Sequence, residues 1–578
     1  MGQKLDKAPS GAYDAIVYIE GSEVVAEDSN GRKIASGEAG VDDSTTLQAT
    51  ASLGGRILIT SNLYISSSTA ISRSNTLVFS RNYSILTRAS SLLSPTINIL
   101  GTAGAANWIT DNVPPGGRKI HVGVITGLAI GDVICIRELA TELYSTNRIV
   151  SIDVPNKEIT LEMPLVYGTQ VAAPNSFVKL LNCPTNVQIA GLRFAETRIA
   201  KVANGLPHIQ VDYATKTKIS NLVFDKTFGH SVIAINGSYI FDLDGIRIDG
   251  CEDNTGTGGG LGYGINIGAG SRLGNISNSH IFRTRHAVTG DQAYNLNYSN
   301  VHASGDNENP SNAFDTHENM RFINYLNCTA SNCSGGINIR GSFINVENFV
   351  SDSIDSGAIL IDNSCIGNVN INNFVARNTI NYSNAHTIYG VLYLLAAAGN
   401  GPINLSNINI VQDVLPMNPF YRAVRIGADN INMKNFHINA IANSFPVGIG
   451  ELEAHNRFVF DGGKISGCAT NAFSLANITG VQISNADIST DIGGAKFVLA
   501  SDAIVENCPG YATKSFGSST GTGSEQTIAH GLDAIPVGCK AWIKYLVGAR
   551  YITEMIPFDA TNIYPTVTAG IAYEWRIE

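Results

Sequence analysis

The chain has 578 residues, of which 44% are hydrophobic and only 15% charged, with 58 glycines. That length exceeds one compact core, and the composition suits an all-β chain rich in tight turns rather than a disordered chain or a helical bundle. A net charge of −10 without a basic stripe argues against nucleic acid as a partner, and no apolar run reaches the roughly 18 residues of a membrane span. The nine cysteines are scattered without a zinc-site spacing and read as reduced structural thiols, so no metal or other cofactor is expected.

In chain order, residues 1–35 form a leading segment without the apolar stretch of a secretory signal. SGEAGVDDSTTLQATAS (36–52) predicts a short helix capped by Asp or Ser, followed by the strand-rich GGRILITSNLYIS. The residues Gly40, Asp42, Asp43, Thr45 and Gln48, then Gly55, Ile57, Ile59, Tyr64 and Ile65, fall in a recognisable order. This order resembles the opening of the pectate-lyase-like superfamily of viral tailspikes and polysaccharide-degrading enzymes. The resemblance implies a right-handed parallel β-helix whose first coil is plugged by the helix. The preceding AYDAIVYIEGSEVVAEDSNGRKIASG is similar to leaders of archaeal-virus members of that superfamily.

Residues 36–106 thus hold the capping helix and first coils. Residues 107–180 break the pattern with hairpin-like segments such as NRIVSIDVPNKEITLEMPLVYG, which predicts a small inserted β-domain. From 181 to 510 a short motif recurs, in which a β-branched or apolar residue precedes Asn or Gly and alternating apolar positions follow. Its Asn/Gly column falls at Gly191, Asn221, Gly245, Asn278, Asn300, Tyr325, Asn348, Asn373, Asn407, Asn435, Gly462, Asn485 and Asn507. A β-helix coil takes about 22–25 residues when its turns are short, and its corners need the left-handed conformation that Asn and Gly tolerate.

A second strand recurs between these anchors, as in AFDTHE (313–318), GINIRG (336–341) and AILIDN (358–363). Alternation points Phe314, Thr316, Ile337, Ile339, Ile359 and Ile361 inward, which leaves Asp315, His317, Asn338, Arg340 and Asp362 facing out. His317, Arg340 and Asp362 then share one column, and Asp315 and Asn338 the next, with coils about 4.8 Å apart. Glu318 ends its strand, and Arg285 and His286 come from the preceding coil. A carboxylate, an imidazole and a guanidinium on one face suit two chemistries. A lyase needs a base and a cation to neutralise a uronate, and a glycosidase needs two carboxyls about 5–9.5 Å apart. Asp315 and Asp362 come out at roughly 11–12 Å from strand spacings, which is too far for such a pair. The candidate catalytic residues are therefore Asp315, His317, Glu318 and Arg340, with Arg285, His286, Asn338 and Asp362 on the substrate. A surface ion-pair ladder without chemistry accounts for the same residues.

Residues 511–578, with a Gly/Ser/Thr linker at 516–524, predict a small β-sandwich whose Trp542 and Trp575 are candidates for stacking on sugars. The resemblance implies a homotrimeric, virion-borne receptor-binding protein that recognises, and in some members cleaves, a host surface glycan. The leading segment would attach it to the virion tail or baseplate, with assembly in the host cytoplasm and action outside the cell. The alternative is a cellular surface-associated β-helix with a structural or adhesive role and no catalysis.

Overall fold

In a stack of parallel strands, residues of one register position form a column, and alternate columns fill the interior. The computed structural model shows this arrangement directly. It describes residues 12–139, 143–171, 176–198, 206–252, 262–305, 312–379, 390–396, 400–415, 422–509, 514–532, 538–548 and 550–578. The chain divides into two units, Met1–Asp355 and Ser356–Glu578. It is a right-handed parallel β-helix, and among the described residues it has one α-helix.

That helix, Asp43–Ala51, closes the start of the solenoid. It is shorter than the predicted 36–52 because Lys33–Glu38 is drawn into a meander with Ala15–Glu20 and Glu23–Asp28. The first strand of the meander runs parallel to Arg56–Ile59, so the leading segment beyond residue 11 is the first layer of the fold. The Gly-Asp-Asp-Thr-Gln pattern now has a physical basis. The carboxylate of Asp43 accepts the Gly40 N–H at 2.8 Å and the Tyr64 N–H at 2.6 Å. Gln48 pairs its amide with the backbone of Ala70 in both directions, at 2.7 and 3.1 Å, as a neighbouring strand would.

In the first unit, Ile209, Ile233, Ile265, Val288, Phe314 and Ile337 form one interior column through successive parallel pairings. The corners are left-handed where Asn221, Asn278, Asn300 and Asn348 sit, with φ between 49° and 54°. Gly191 holds the same corner at φ 64°, where a Cβ would lie 2.1 Å from the Ser80 carbonyl oxygen, so only glycine fits. One anchor needs correction. The corner assigned to Tyr325 belongs to Asn327, whose φ is 53°. Tyr325 pairs in register with Tyr298 and packs inside against it, with ring centroids 4.9 Å apart. Asn side chains also bond along the axis, Asn348 to Asn327 at 3.0 Å and Asn300 to Asn278 at 3.1 Å. A second exposed ladder, Asn275–Asn297–Asn324–Asn345, runs beside it with steps of 3.0, 2.8 and 2.8 Å.

The solenoid of this unit is interrupted by an antiparallel sheet, Thr102–Trp108, Phe177–Asn182, Val133–Leu139, Leu143–Asp153, Glu158–Leu161 and Lys119–His121 in spatial order. It has its own core around Ile120, Ile134, Ile149, Ile159 and Val178. It docks on the coils through Val133, Cys135 and Leu181 against Tyr239. The Arg272 guanidinium donates to the Pro164 carbonyl at 2.8 Å, and the Tyr167 hydroxyl donates to the Asn319 carbonyl at 3.1 Å.

The second unit has an interior column of its own, Ile359, Leu392, Val424, Ile449, Phe473 and Phe497. Its corners at Asn373, Asn407, Asn435, Asn485 and Asn507 have φ between 50° and 56°. The unit ends in a four-stranded antiparallel sheet, Ser515–Thr520, Ala572–Ile577, Ala541–Val547 and Arg550–Ile556, packed against a short strand pair through Ile543, Ile563, Val567 and Trp575. All nine cysteines are free thiols.

Candidate functional site

The strands Asn312–Thr316 and Gly335–Ile339 lie side by side, with Asp315 opposite Asn338. Phe314 and Thr316 face the interior, so Asp315 points outward as alternation requires. It is nonetheless only 1% exposed, because its neighbours close over it. The Asn338 amide donates to Oδ1 at 2.9 Å, and Arg340 donates Nε–H to Oδ1 at 3.2 Å and Nη2–H to Oδ2. His317 brings Nε2 to 3.3 Å from Oδ2, and His286 brings its own to 3.4 Å. The strand end that carries Arg340 is fixed by Thr316, whose Oγ1 accepts the N–H groups of Arg340 and Gly341 at 3.0 and 3.1 Å.

Burial alone would raise the Asp315 carboxyl, but the hydrogen bond from His317 and the charge of Arg340 outweigh it. Asp315 is held well below the usual carboxylate range. His286 is buried and stacked on Tyr263, with centroids 5.2 Å apart, and its Nδ1 lies 2.6 Å from the Asn312 carbonyl oxygen. Burial pushes its pKa down to about 4, against the opposing pull of Asp315. At neutral pH it therefore donates Nδ1–H to Asn312 and turns a lone pair towards Asp315. The donors that hold the carboxylate are Asn338, Arg340 and His317. Asp315 is thus engaged on both oxygens, while the side chains of His317 and Arg340 are partly exposed.

The structure brings together Asp315, His317, Arg340, Asn338 and His286. Arg285 stands at one remove, its guanidinium 5.8 Å above the Tyr263 ring. Glu318 is exposed on the turn that follows. Asp362 belongs to the second unit, where it accepts the N–H and hydroxyl of Ser364 at 3.1 and 2.9 Å. Trp542 lies on the outer face of the C-terminal sheet, and Trp575 is buried in that domain's core. Among the described residues, no group of three or more His, Cys, Asp or Glu side chains is placed to hold a metal ion.

Sequence reasoning passed over an aromatic pair on the same two coils. Phe322 and Phe343 follow Met320 and Gly341 on the same two coils and stack at 5.0 Å and 13°. They are 40% and 38% exposed, at φ 61° and 60°. A left-handed conformation is costly for a bulky residue. The signal was present as the tripeptide Phe-Ile-Asn, repeated at 322 and 343. Replacing either phenylalanine with asparagine is expected to change stability by less than about 1 kcal/mol, because relief of strain offsets the lost stacking. Urea unfolding of the two variants checks this.

No protein-family model and no curated protein matches this sequence. Solved structures do match its fold. The tailspike gp61 of Pseudomonas phage phi297 aligns with a TM-score of 0.57 and 13% identity, over 92% of this chain and 91% of that one. The fold is one that phage tailspikes have. The tailspike gp49 of Pseudomonas phage LKA1 aligns at 0.55 and 14% identity, over 92% of each chain. The Gp54 tailspike of Acinetobacter baumannii bacteriophage AP22, solved with capsular saccharide, aligns at 0.57 and 12%, over 90% of each. At such identities the likeness is one of fold.

Proposed function

We propose that this chain is a viral tailspike that recognises a host cell-surface polysaccharide on the solenoid face around Asp315, His317 and Arg340. The observation that carries the reading is the alignment of nine-tenths of the chain with nine-tenths of tailspikes, one of them solved with a capsular saccharide. In this reading the chain is a homotrimer attached to the virion tail by its N-terminal segment. An archaeal virus as its source rests on the likeness of residues 12–37 alone. The opening motif favours the pectate-lyase-like superfamily.

The two coils that carry the cationic and hydrogen-bonding patch also expose the stacked rings of Phe322 and Phe343, and together such groups suit sugar hydroxyls and C–H faces. The same cluster favours one class of cleavage over the other. A glycosidase needs two carboxyls, and the carboxylate at the centre here is already saturated by donors. A lyase needs a base and a cation, roles that suit His317, oriented by Asp315, and Arg340. His317→Ala is expected to lower the release of unsaturated oligosaccharide about 100-fold or more while polysaccharide binding persists. Incubation with a panel of purified capsular and envelope polysaccharides tests both points. Release of saturated ends by the wild type would replace the lyase reading with a hydrolase. Binding without any release would leave a recognition protein.

A further inference from the structure

In the second unit the column beside the interior one faces out and reads Leu360, Tyr393, Arg425, Gly450 and Ser474 through successive parallel pairings. Tyr393 is buried, and the Arg425 guanidinium lies 5.3 Å from its ring centroid. Arg425 is half-buried, and its Nε is shielded from water without a hydrogen-bond acceptor among the described residues. No carboxylate among them forms an ion pair with it. Arg422, at the start of the same strand, sends its side chain across Gly450. A Cβ at Gly450 would lie 2.3 Å from the Arg422 Nε and 2.6 Å from its Cδ. The missing side chain is therefore what seats the second arginine. The carboxylate next in sequence, Glu451, is turned to the following coil, where it accepts the Asn477 N–H and Nδ2–H at 2.9 Å each.

Stacking on Tyr393 orients the Arg425 guanidinium but leaves its charge uncompensated. Withdrawing such a charge from water is costly until an anion pairs with it, and the planar fork of a guanidinium matches a carboxylate. A solvated surface arginine keeps its N–H groups in water, which the buried Nε of Arg425 does not. The chain as a whole carries −10 and repels acidic polymers, so cations gathered at one place decide whether such a polymer can dock.

We propose that the second unit holds a saccharide subsite of its own, in which Arg425 and Arg422 receive the carboxylate of an acidic sugar. The proposal rests on the glycan reading above and sharpens it, because the polymer recognised is then an acidic one. Calorimetric titration of the full chain tests it, with glucuronate, glucose and acetate as probes. The His317→Ala/Arg340→Ala chain serves as background, so that the Asp315 face does not contribute. Glucuronate is expected to bind this background in the millimolar range, with glucose and acetate at least about tenfold weaker. Adding Arg425→Gln is expected to weaken glucuronate at least about tenfold, the loss of a charged hydrogen-bond donor, and Arg425→Lys to keep part of the affinity. Gly450→Ala pushes Arg422 aside while leaving Arg425 in place, and is expected to weaken glucuronate severalfold with unchanged far-ultraviolet circular dichroism. Undiminished binding in both Arg425→Gln and Gly450→Ala would overturn the proposal. So would acetate binding as tightly as glucuronate, which would show a carboxylate site without sugar recognition. Glucuronate binding that the wild type has and the background lacks would confine carboxylate recognition to the Asp315 face. A wild type that binds a neutral polysaccharide but no glucuronate would refute the acidic subsite and leave the glycan reading standing.

Discussion

Replacing Asp315 with alanine is expected to destabilise the first unit by about 2–3 kcal/mol. Breaking a buried ion pair costs about 3–5 kcal/mol, and the partial exposure of Arg340 and His317 reduces the figure. The change also leaves the Asn338 amide without its acceptor, a further reason for the direction of the effect. Hydrogen exchange in Asn312–Thr316 and Gly335–Ile339 reads the loss locally; unchanged protection would contradict the hub role of Asp315. The sign of the pH dependence follows from the lowered carboxyl. The folded state binds this proton more weakly than the unfolded chain does. The stabilisation is therefore complete above the unfolded value near 4, and it is lost as the pH falls through the folded value. The alanine variant is expected to lack that acid-dependent part of the unfolding profile. Polysaccharide binding is expected to fall as well, because His317 and Arg340 lose the group that orients them.

The second large effect is expected at the start of the solenoid. Asp43→Ala removes the acceptor of the Gly40 and Tyr64 N–H groups at a position that is buried. Two hydrogen bonds to a charged group and a stranded donor together place the cost at about 3–4 kcal/mol. Asp43→Asn keeps one oxygen and turns an NH2 group towards the other donor, so it is expected to recover only part of the loss. The helix covers the first coil with Leu47 and Ala51, and loosening it uncovers strand edges. Aggregation at a lower temperature is therefore expected along with the lower melting point, measured by light scattering during a thermal ramp.

The sequence made the coils legible because two independent constraints coincide in each. Interior columns demand apolar residues at alternate positions, and the left-handed corner admits little besides Asn and Gly. Where another pattern competes, the reading slips. In RFINYLNC the alternation places Tyr325 at the anchor, but the ring is held inside by Tyr298 and the corner moves two residues on to Asn327. The Asp315 and Asn338 column was visible for the same reason as the interior. Its burial was not, because His286 reaches in from a different coil and Arg340 folds back over the carboxylate. Phe322 and Phe343 escaped notice because no local rule places phenylalanine at a left-handed corner. The two tryptophans of the last domain divide by register. Trp542 pairs with Arg576, so Trp575, one residue earlier, must point the other way, into the core.

The most direct measurement is polysaccharide binding by the wild-type chain and by the His317→Ala/Arg340→Ala pair, across a panel of purified capsular and envelope polysaccharides. The expected result is tight binding of one polymer or a few related ones by the wild type and at least a tenfold weaker signal from the folded double variant. Equal binding by the two proteins would remove the Asp315 face from the account, and binding of no polymer by the wild type would contradict the glycan-recognition function itself.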